Sequence, residues 1–361
     1  MKRNNVVQPF RAAPSAPRLR GAAVLILVAA VAAIAPVPPT VIERVFSRGF
    51  YPSVQGLLTP LSNIVPFALL DVAAAILLGM LLVVAVRAVR RSGWKPGLRH
   101  AGVFVLKLVA AVYLIFLGIW GLNYRRVPLE QKLDFDRAQL SQQNATALAA
   151  EAVRRVNQLY GAAHATGFDR ARLASAFGAA ERTLGAGGPT PTGRPKKSLL
   201  GLYFRAAAID GMTDPIFLEV ILNPDLVPIE LPDVLAHEWS HLAGYADESE
   251  ASFLAWLTCL RGDDLARYSG WLTAYRRAVD VLPRDVRRSL PQLEEGPKAD
   301  LRAIAARLGR SSRVVREAAR GAYDSYLKAN RIPEGIENYD AVIQLMLATS
   351  LGREWSPETA R

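Results

Sequence analysis

Apolar and polar positions divide this chain near Leu122. Before it, long runs of Ala, Val, Leu and Ile carry few charges; after it, charged residues recur every few positions and apolar ones take helical spacing. Three stretches in the first part, residues 21–41, 66–86 and 101–122, are apolar over the roughly 20 residues a helix needs to cross a bilayer. Pro36, Pro38 and Pro39 interrupt the end of the first. Its small residues Ala30, Ala32 and Ala33 also suit a signal-peptide cleavage site, a competing reading that leaves the following chain on the same side of the membrane.

Beyond Asn123 the spacing predicts helices over residues 136–160 and 168–184, then a loop over 185–197 rich in Gly and Pro. Two short strands are expected at 199–206 and 216–222, with a turn around Asp210, Gly211 and Asp214 between them. After Tyr245 the chain reads as helical, broken at Pro283, at 291–297 and at 333–335. The expected fold is mainly α with a small β-sheet: a membrane domain, residues 1–122, with three N-terminal transmembrane helices, and an α+β domain, residues 123–361.

The net charge is +12. Residues 1–122 hold 13 Lys and Arg against 2 Asp and Glu, an excess of +11, and the remainder holds 31 against 30, an excess of +1. The basicity thus belongs to the hydrophobic segments, which points to a lipid bilayer and away from nucleic acid as a partner. Lys2, Arg3, Arg11, Arg18 and Arg20 precede the first segment, and Arg87, Arg90, Arg91, Lys95 and Arg99 separate the second from the third; residues 42–65 hold only Arg44 and Arg48. The positive-inside rule then places the N-terminus in the cytoplasm and residues 123–361 outside it. Asp71 and Lys107 fall within spans, at depths that differ by roughly 10 Å or more, so each is expected to reach its own interface rather than pair with the other.

Cys259 is the sole cysteine, which excludes an intrachain disulfide and a Cys-type zinc site; its apolar neighbours suggest a buried thiol. Two of the four histidines, His237 and His241, lie one helical turn apart in the run Pro232-Asp-Val-Leu-Ala-His-Glu-Trp-Ser-His-Leu-Ala-Gly244. Pro232 and Asp233 suit a helix start and Gly244 its end. On that helix both imidazoles can reach one zinc ion, and Glu238 stands beside them as the base for a water molecule. Among apolar neighbours, two buried histidines and a carboxylate without such a role would be costly.

Catalytic zinc needs a third protein ligand, and Asp247, Glu248 and Glu250 follow closely. Glu248 shares a helix face with Ala251, Ser252, Ala255 and Cys259, all small, whereas Glu250 shares one with Phe253, Leu254, Leu257 and Arg261. Glu248 is therefore favoured, with Asp247 and Glu250 as alternatives, and Ser252 is placed to hydrogen-bond a ligating histidine.

Residues 237–245, His-Glu-Trp-Ser-His-Leu-Ala-Gly-Tyr, followed by Glu-Ser-Glu-Ala-Ser-Phe at 248–253, resemble the bacterial domain-of-unknown-function family 3810, regarded as membrane-bound relatives of the Glu-type zincins. Residues 42–51, Pro66-Phe67, Asp71, 122–126, 323–328 and 335–339 also resemble it; Ser252 departs from its usual Asn. The resemblance implies a zincin-like domain with His237, His241 and Glu248 as zinc ligands and Glu238 as base, in a bacterial cytoplasmic membrane. The expected activity is hydrolysis of a peptide or protein substrate, held against residues 216–222 as an edge strand, with Tyr323, Tyr326 and Tyr339 as chemically suitable oxyanion donors. The rival reading is a non-catalytic zinc-containing sensor or peptide-binding protein.

Overall fold

The computed structural model describes residues 16–352 and Pro357, with side chains from Gly21 onward except those of Tyr339 and Asp340. Lys2, Arg3, Arg11, the side chains of Arg18 and Arg20, and that of Tyr339 therefore lie outside the described residues. The protein is mainly helical with one small three-stranded sheet. It divides into two compact units, Met1–Pro36 with Ala74–Gly118, and Val37–Ala73 with Ile119–Arg361.

The first helix, α1 (Ala16–Ile34), stops short of the expected end of the first span. Pro36 and Pro38 disfavour helix in the residues before them, so 21–41 is not one continuous rod. A π-helical stretch, Ile42–Phe50, leads into α2 (Tyr51–Ser62). Next come α3 (Leu69–Ser92) and α4 (Trp94–Ile119), joined through Gly93. These two are long and apolar enough to cross a membrane; a third crossing exists only if Gly21–Ile34 and Pro39–Ser62, a bent pair with a break between them, count as one span. The Arg87 to Arg99 cluster lies almost wholly on the ends of α3 and α4 rather than on a loop.

In the larger unit, Ser141 and Asp169 cap α5 (Gln142–Ala165) and α6 (Arg170–Thr183), close to where the spacing places helices. Strand β1 (Pro195–Lys196) follows, then α7 (Leu200–Ala207), where a strand was expected. Leu, Tyr and Phe there suit either period, and tertiary contacts decide: Asp71 accepts from Leu199 N at 2.8 Å and Ser198 Oγ from Leu200 N at 3.0 Å, while Gly201, Phe204 and Ala207 turn inward at helical spacing.

The expected turn at 210–214 is itself strand β2 (Gly211–Asp214). The turn falls later, where the Asp214 carboxylate accepts from Ile216 N and Phe217 N, and leads to β3 (Glu219–Leu222). The order is β1-β3-β2, with β3 parallel to β1 and antiparallel to β2. The expected edge strand is therefore the central one, and β2 occupies the edge.

The core forms around α8 (Leu231–Leu242) and α9 (Glu248–Arg261), which pack on each other; α9 also packs on α6 and on α10 (Asp264–Val281), and α10 lies along α5. Trp239 of α8 is buried against Phe177 of α6 in an edge contact, centroids 5.7 Å apart, and Trp256 of α9 meets Trp271 of α10 in the same way at 6.0 Å. Cys259 is buried in this core, as its neighbours suggest. Helices α11 (Glu295–Gly309), α12 (Arg313–Ala329) and α13 (Val342–Ala348) complete the unit.

Candidate metal centre

Helix α8 begins with Pro232 in its first turn and ends in a left-handed Gly244, φ +83°. There Tyr245 N donates to Ser240 O and Gly244 N to His241 O, the paired bonds of a Schellman closure. A Cβ at Gly244 would also stand 3.1 Å from the Tyr51 ring, so glycine is demanded twice. Three side chains from distant segments donate to carbonyls at this end. Tyr51 Oη donates to Leu242 O at 2.6 Å, Trp120 Nε1 to His241 O at 2.9 Å, and Arg126 to Gly244 O at 2.9 Å. Arg126 is held in turn by Glu43 at 3.0 Å.

This closure sends the chain straight back into α9. Asp247 becomes its N-cap, accepting from Ser249 N and Glu250 N at 2.9 and 3.2 Å. Glu250 faces elsewhere and accepts from Leu129 N at 2.5 Å. Of the three acids, Glu248 is the one brought to the histidines.

The described residues contain one group of three side chains that could hold a metal ion: His237, His241 and Glu248. His237 Nε2 and His241 Nε2 are 3.1 Å apart, and Glu248 Oε2 lies 3.2 Å from the first and 3.5 Å from the second. Donors about 2.0–2.2 Å from a tetrahedral zinc ion are separated by roughly 3.3–3.6 Å, so the triangle is close to one face of such a tetrahedron. Glu248 Oε2 is buried and makes no aligned hydrogen bond with either ring. Three potential donor atoms that all converge within 3.5 Å of one another fit a cation among them.

The surrounding groups fix which nitrogen each ring turns inward. Tyr245 O can only accept, so the 2.7 Å contact to His241 Nδ1 puts a proton on that nitrogen and directs Nε2 to the centre. Ser252 Oγ lies 3.2 Å from His237 Nδ1, the contact expected from its place four residues after Glu248. Tyr323 of α12 donates to Glu248 Oε1, leaving Oε2 as the inward oxygen. Tyr326 stacks on Tyr323, and its hydroxyl is 3.4 Å from that of Tyr124; burial raises Tyr326 to about 12.

Burial opposes ionisation of Glu248, but His241 and His237 outweigh it and hold the carboxyl well below its ordinary range. Burial likewise opposes charge on His241, and Glu248 overcomes it, with help from Glu238 and the Tyr245 carbonyl, raising the imidazole to about 9.

Glu238 is buried, and burial raises its carboxyl although His237 and His241 draw it down. Thr213 of β2 donates to its Oε2 at 2.8 Å. Gly211, two residues earlier, leaves room for the same carboxylate: a Cβ there would lie 2.7 Å from Glu238 Oε1. Neither Gly211 nor Thr213 is a site residue by sequence pattern, because both reach Glu238 through the packing of β2 against α8.

A family model described as "Protein of unknown function (DUF3810)" matches residues 46–347. The chain belongs to the DUF3810 family. No curated protein and no solved structure matches it significantly. The DUF3810 match runs from the π-helical stretch that precedes Tyr51 to the last turn of α13, so it takes in the triangle, its three-sided clamp and β2 together.

Proposed function

We propose that this protein is a membrane-anchored zinc-dependent peptidase in which His237, His241 and Glu248 hold the metal and Glu238 is the general base. The observation that carries the reading is the 3.1, 3.2 and 3.5 Å triangle of inward donors. Buried Glu238 lies on the same helix, between the two histidines in sequence.

Zinc bound there supplies a Lewis acid that polarises a carbonyl and makes water easier to deprotonate. The chain supplies the rest. Glu238, kept basic by burial and oriented by Thr213, accepts the proton of the attacking water and passes it to the leaving amine. The edge strand β2 offers backbone groups to an extended peptide on the side where Gly211 and Thr213 approach Glu238. Tyr323 donates to Glu248, and Tyr326 stacks on Tyr323 with its hydroxyl 3.4 Å from that of Tyr124.

The distribution of Lys and Arg supports a cytoplasmic N-terminus in a bacterial cytoplasmic membrane with the metal centre outside the cytoplasm. Comparing cleavage products in membranes carrying the wild type or Glu238→Gln tests the activity. New peptide termini that depend on Glu238 support a peptidase. Full zinc with identical product profiles would instead leave a zinc-containing sensor or peptide-binding protein.

A further inference from the structure

Helix α2 is inside out. Its buried face carries Tyr51, Gln55, Thr59 and Ser62, at successive turns, and its opposite face carries Leu57 and Leu61, flanked by Phe50 before the helix and Ile64 after it. Gln55, Thr59 and Ser62 are 2, 0 and 2% exposed, whereas Leu57, Leu61 and Ile64 are 60, 52 and 73% exposed. Two of the inward polar groups are used within the larger unit: Gln55 donates to Pro191 O at 2.7 Å and Thr59 to Leu218 O at 2.9 Å. A helix facing water carries its polar residues outward, so this arrangement is stable only against an apolar surrounding.

Two features identify that surrounding. From Gly49 to Leu70 the chain holds no charged residue, and it runs directly from Ser62 into the membrane-length helix α3. Helix α7 shows a second apolar face, Leu199 at 80% and Leu202 at 71% exposed, and it is tied to the first turn of α3: Asp71 accepts from Ser198 Oγ and Leu199 N at 2.9 and 2.8 Å. Both exposed faces therefore adjoin the point where a membrane helix starts. The helical run is continuous from Pro39 to Ser62, but its first half carries Glu43, Arg44 and Arg48; the uncharged α2 alone, about 18 Å long for its 12 residues, is too short to cross a hydrocarbon core of about 30 Å and suits lying within its boundary.

We propose that α2 and the Leu199–Leu202 face of α7 are embedded in the lipid boundary, forming a docking surface that seats the larger unit on the bilayer. The partner is lipid acyl chain, met by Phe50, Leu57, Leu61, Ile64, Leu199 and Leu202. Through Tyr51, whose hydroxyl caps α8 at Leu242 O, this surface is connected to the helix that carries the histidines.

The test uses the full chain in nanodiscs of phosphatidylethanolamine and phosphatidylglycerol. Unmodified protein is photolabelled with a lipid-soluble carbene precursor and mapped by mass spectrometry. Label is expected in peptides spanning residues 50–67 and 199–203 as well as in α3 and α4; label confined to α3 and α4 overturns the proposal. In parallel, Leu57→Cys, Leu202→Cys and, as a water-facing control, Val281→Cys each receive an environment-sensitive fluorophore. Quenching by iodide is expected to be several-fold weaker at positions 57 and 202 than at 281, with strong quenching there by doxyl lipid. Equal iodide quenching at all three positions overturns the proposal, and so does shielding of 57 and 202 from both quenchers, which would mean a second protein surface covers them.

Discussion

Thr213 Oγ1 stands 2.8 Å from the Glu238 carboxylate and 2.8 Å from the Glu238 backbone carbonyl, so one hydroxyl on the edge strand β2 addresses the proposed base at two points. The hydroxyl has one proton to donate, and the carboxylate bond both orients Glu238 and favours its ionised form. Thr213→Val keeps the shape and removes the bond. Turnover of a quenched-fluorescence peptide library should fall about tenfold, and the acid limb of its pH profile should move upward because burial would then raise Glu238 further. Zinc content should not change. An unshifted acid limb would show that Thr213 does not act on the base.

Gly211 gives a steric counterpart. Gly211→Ala places a Cβ 2.7 Å from Glu238 Oε1 and 3.1 Å from Glu238 Cδ, and the carboxylate must move. The expected outcome is loss of at least about tenfold in peptide turnover with zinc retained, since misplacement of a reacting group by about 1 Å can cost as much as 100-fold. Turnover equal to wild type would mean that Glu238 is free to move aside.

Around the metal, the variants should separate by whether they remove a donor or its support. Glu248→Ala and His241→Ala remove donors, and the purified protein should lose zinc. Ser252→Ala leaves all three donors and removes only the hydroxyl at His237 Nδ1, so a competition titration should show zinc affinity weakened by about 10- to 100-fold. Zinc bound as tightly by Glu248→Ala as by wild type would exclude Glu248 as a ligand.

Proton release supplies a test in solution. In protein stripped by a chelator, His241 is raised to about 9, so it carries a proton at pH 7, and a zinc ion must displace it. Calorimetric titration with zinc in buffers of different ionisation enthalpy should detect about one proton released per zinc at pH 7. The release should shrink as pH rises past about 9, where His241 is already neutral before zinc arrives. Constant release from pH 7 to 10 would contradict this assignment of the proton.

The clamp on α8 predicts a purely structural effect. Tyr51→Phe leaves Leu242 O without its buried donor and should cost about 1–3 kcal/mol. For a unit of this size that corresponds to a fall in unfolding midpoint of at least about 2–4 °C, measured by tryptophan fluorescence in detergent. An unchanged midpoint would show that the carbonyl finds another donor.

The histidines and Glu238 were legible in the sequence because their relation is set within one helix, where spacing alone fixes the shared face. Glu248 was legible for a related reason: Gly244 turns the chain straight into the next helix, and small residues beside Glu248 let that helix approach. Gly211, Thr213, Tyr51, Trp120 and Arg126 act across long sequence separations, and no local period points to them. The helix over Leu200–Ala207 was misread as a strand because its start depends on Asp71, more than a hundred residues earlier. The edge strand was misassigned for the same kind of reason, since β1 pairs with β3 from the far side of α7 and makes it central. The first span, drawn by hydropathy to residue 41, runs past the end of its helix at Ile34, and the difference falls where Pro36, Pro38 and Pro39 were read as interrupting it.

The most direct measurement is zinc content and zinc-edge X-ray absorption on the detergent-purified full chain, wild type beside Glu248→Ala. The expected result is one zinc per wild-type chain, with two imidazole nitrogens and carboxylate oxygen in a first shell at about 2.0–2.2 Å, and loss of that zinc in the variant. A chain purified without zinc and unable to take it up, or a shell lacking the two imidazoles, would contradict the account.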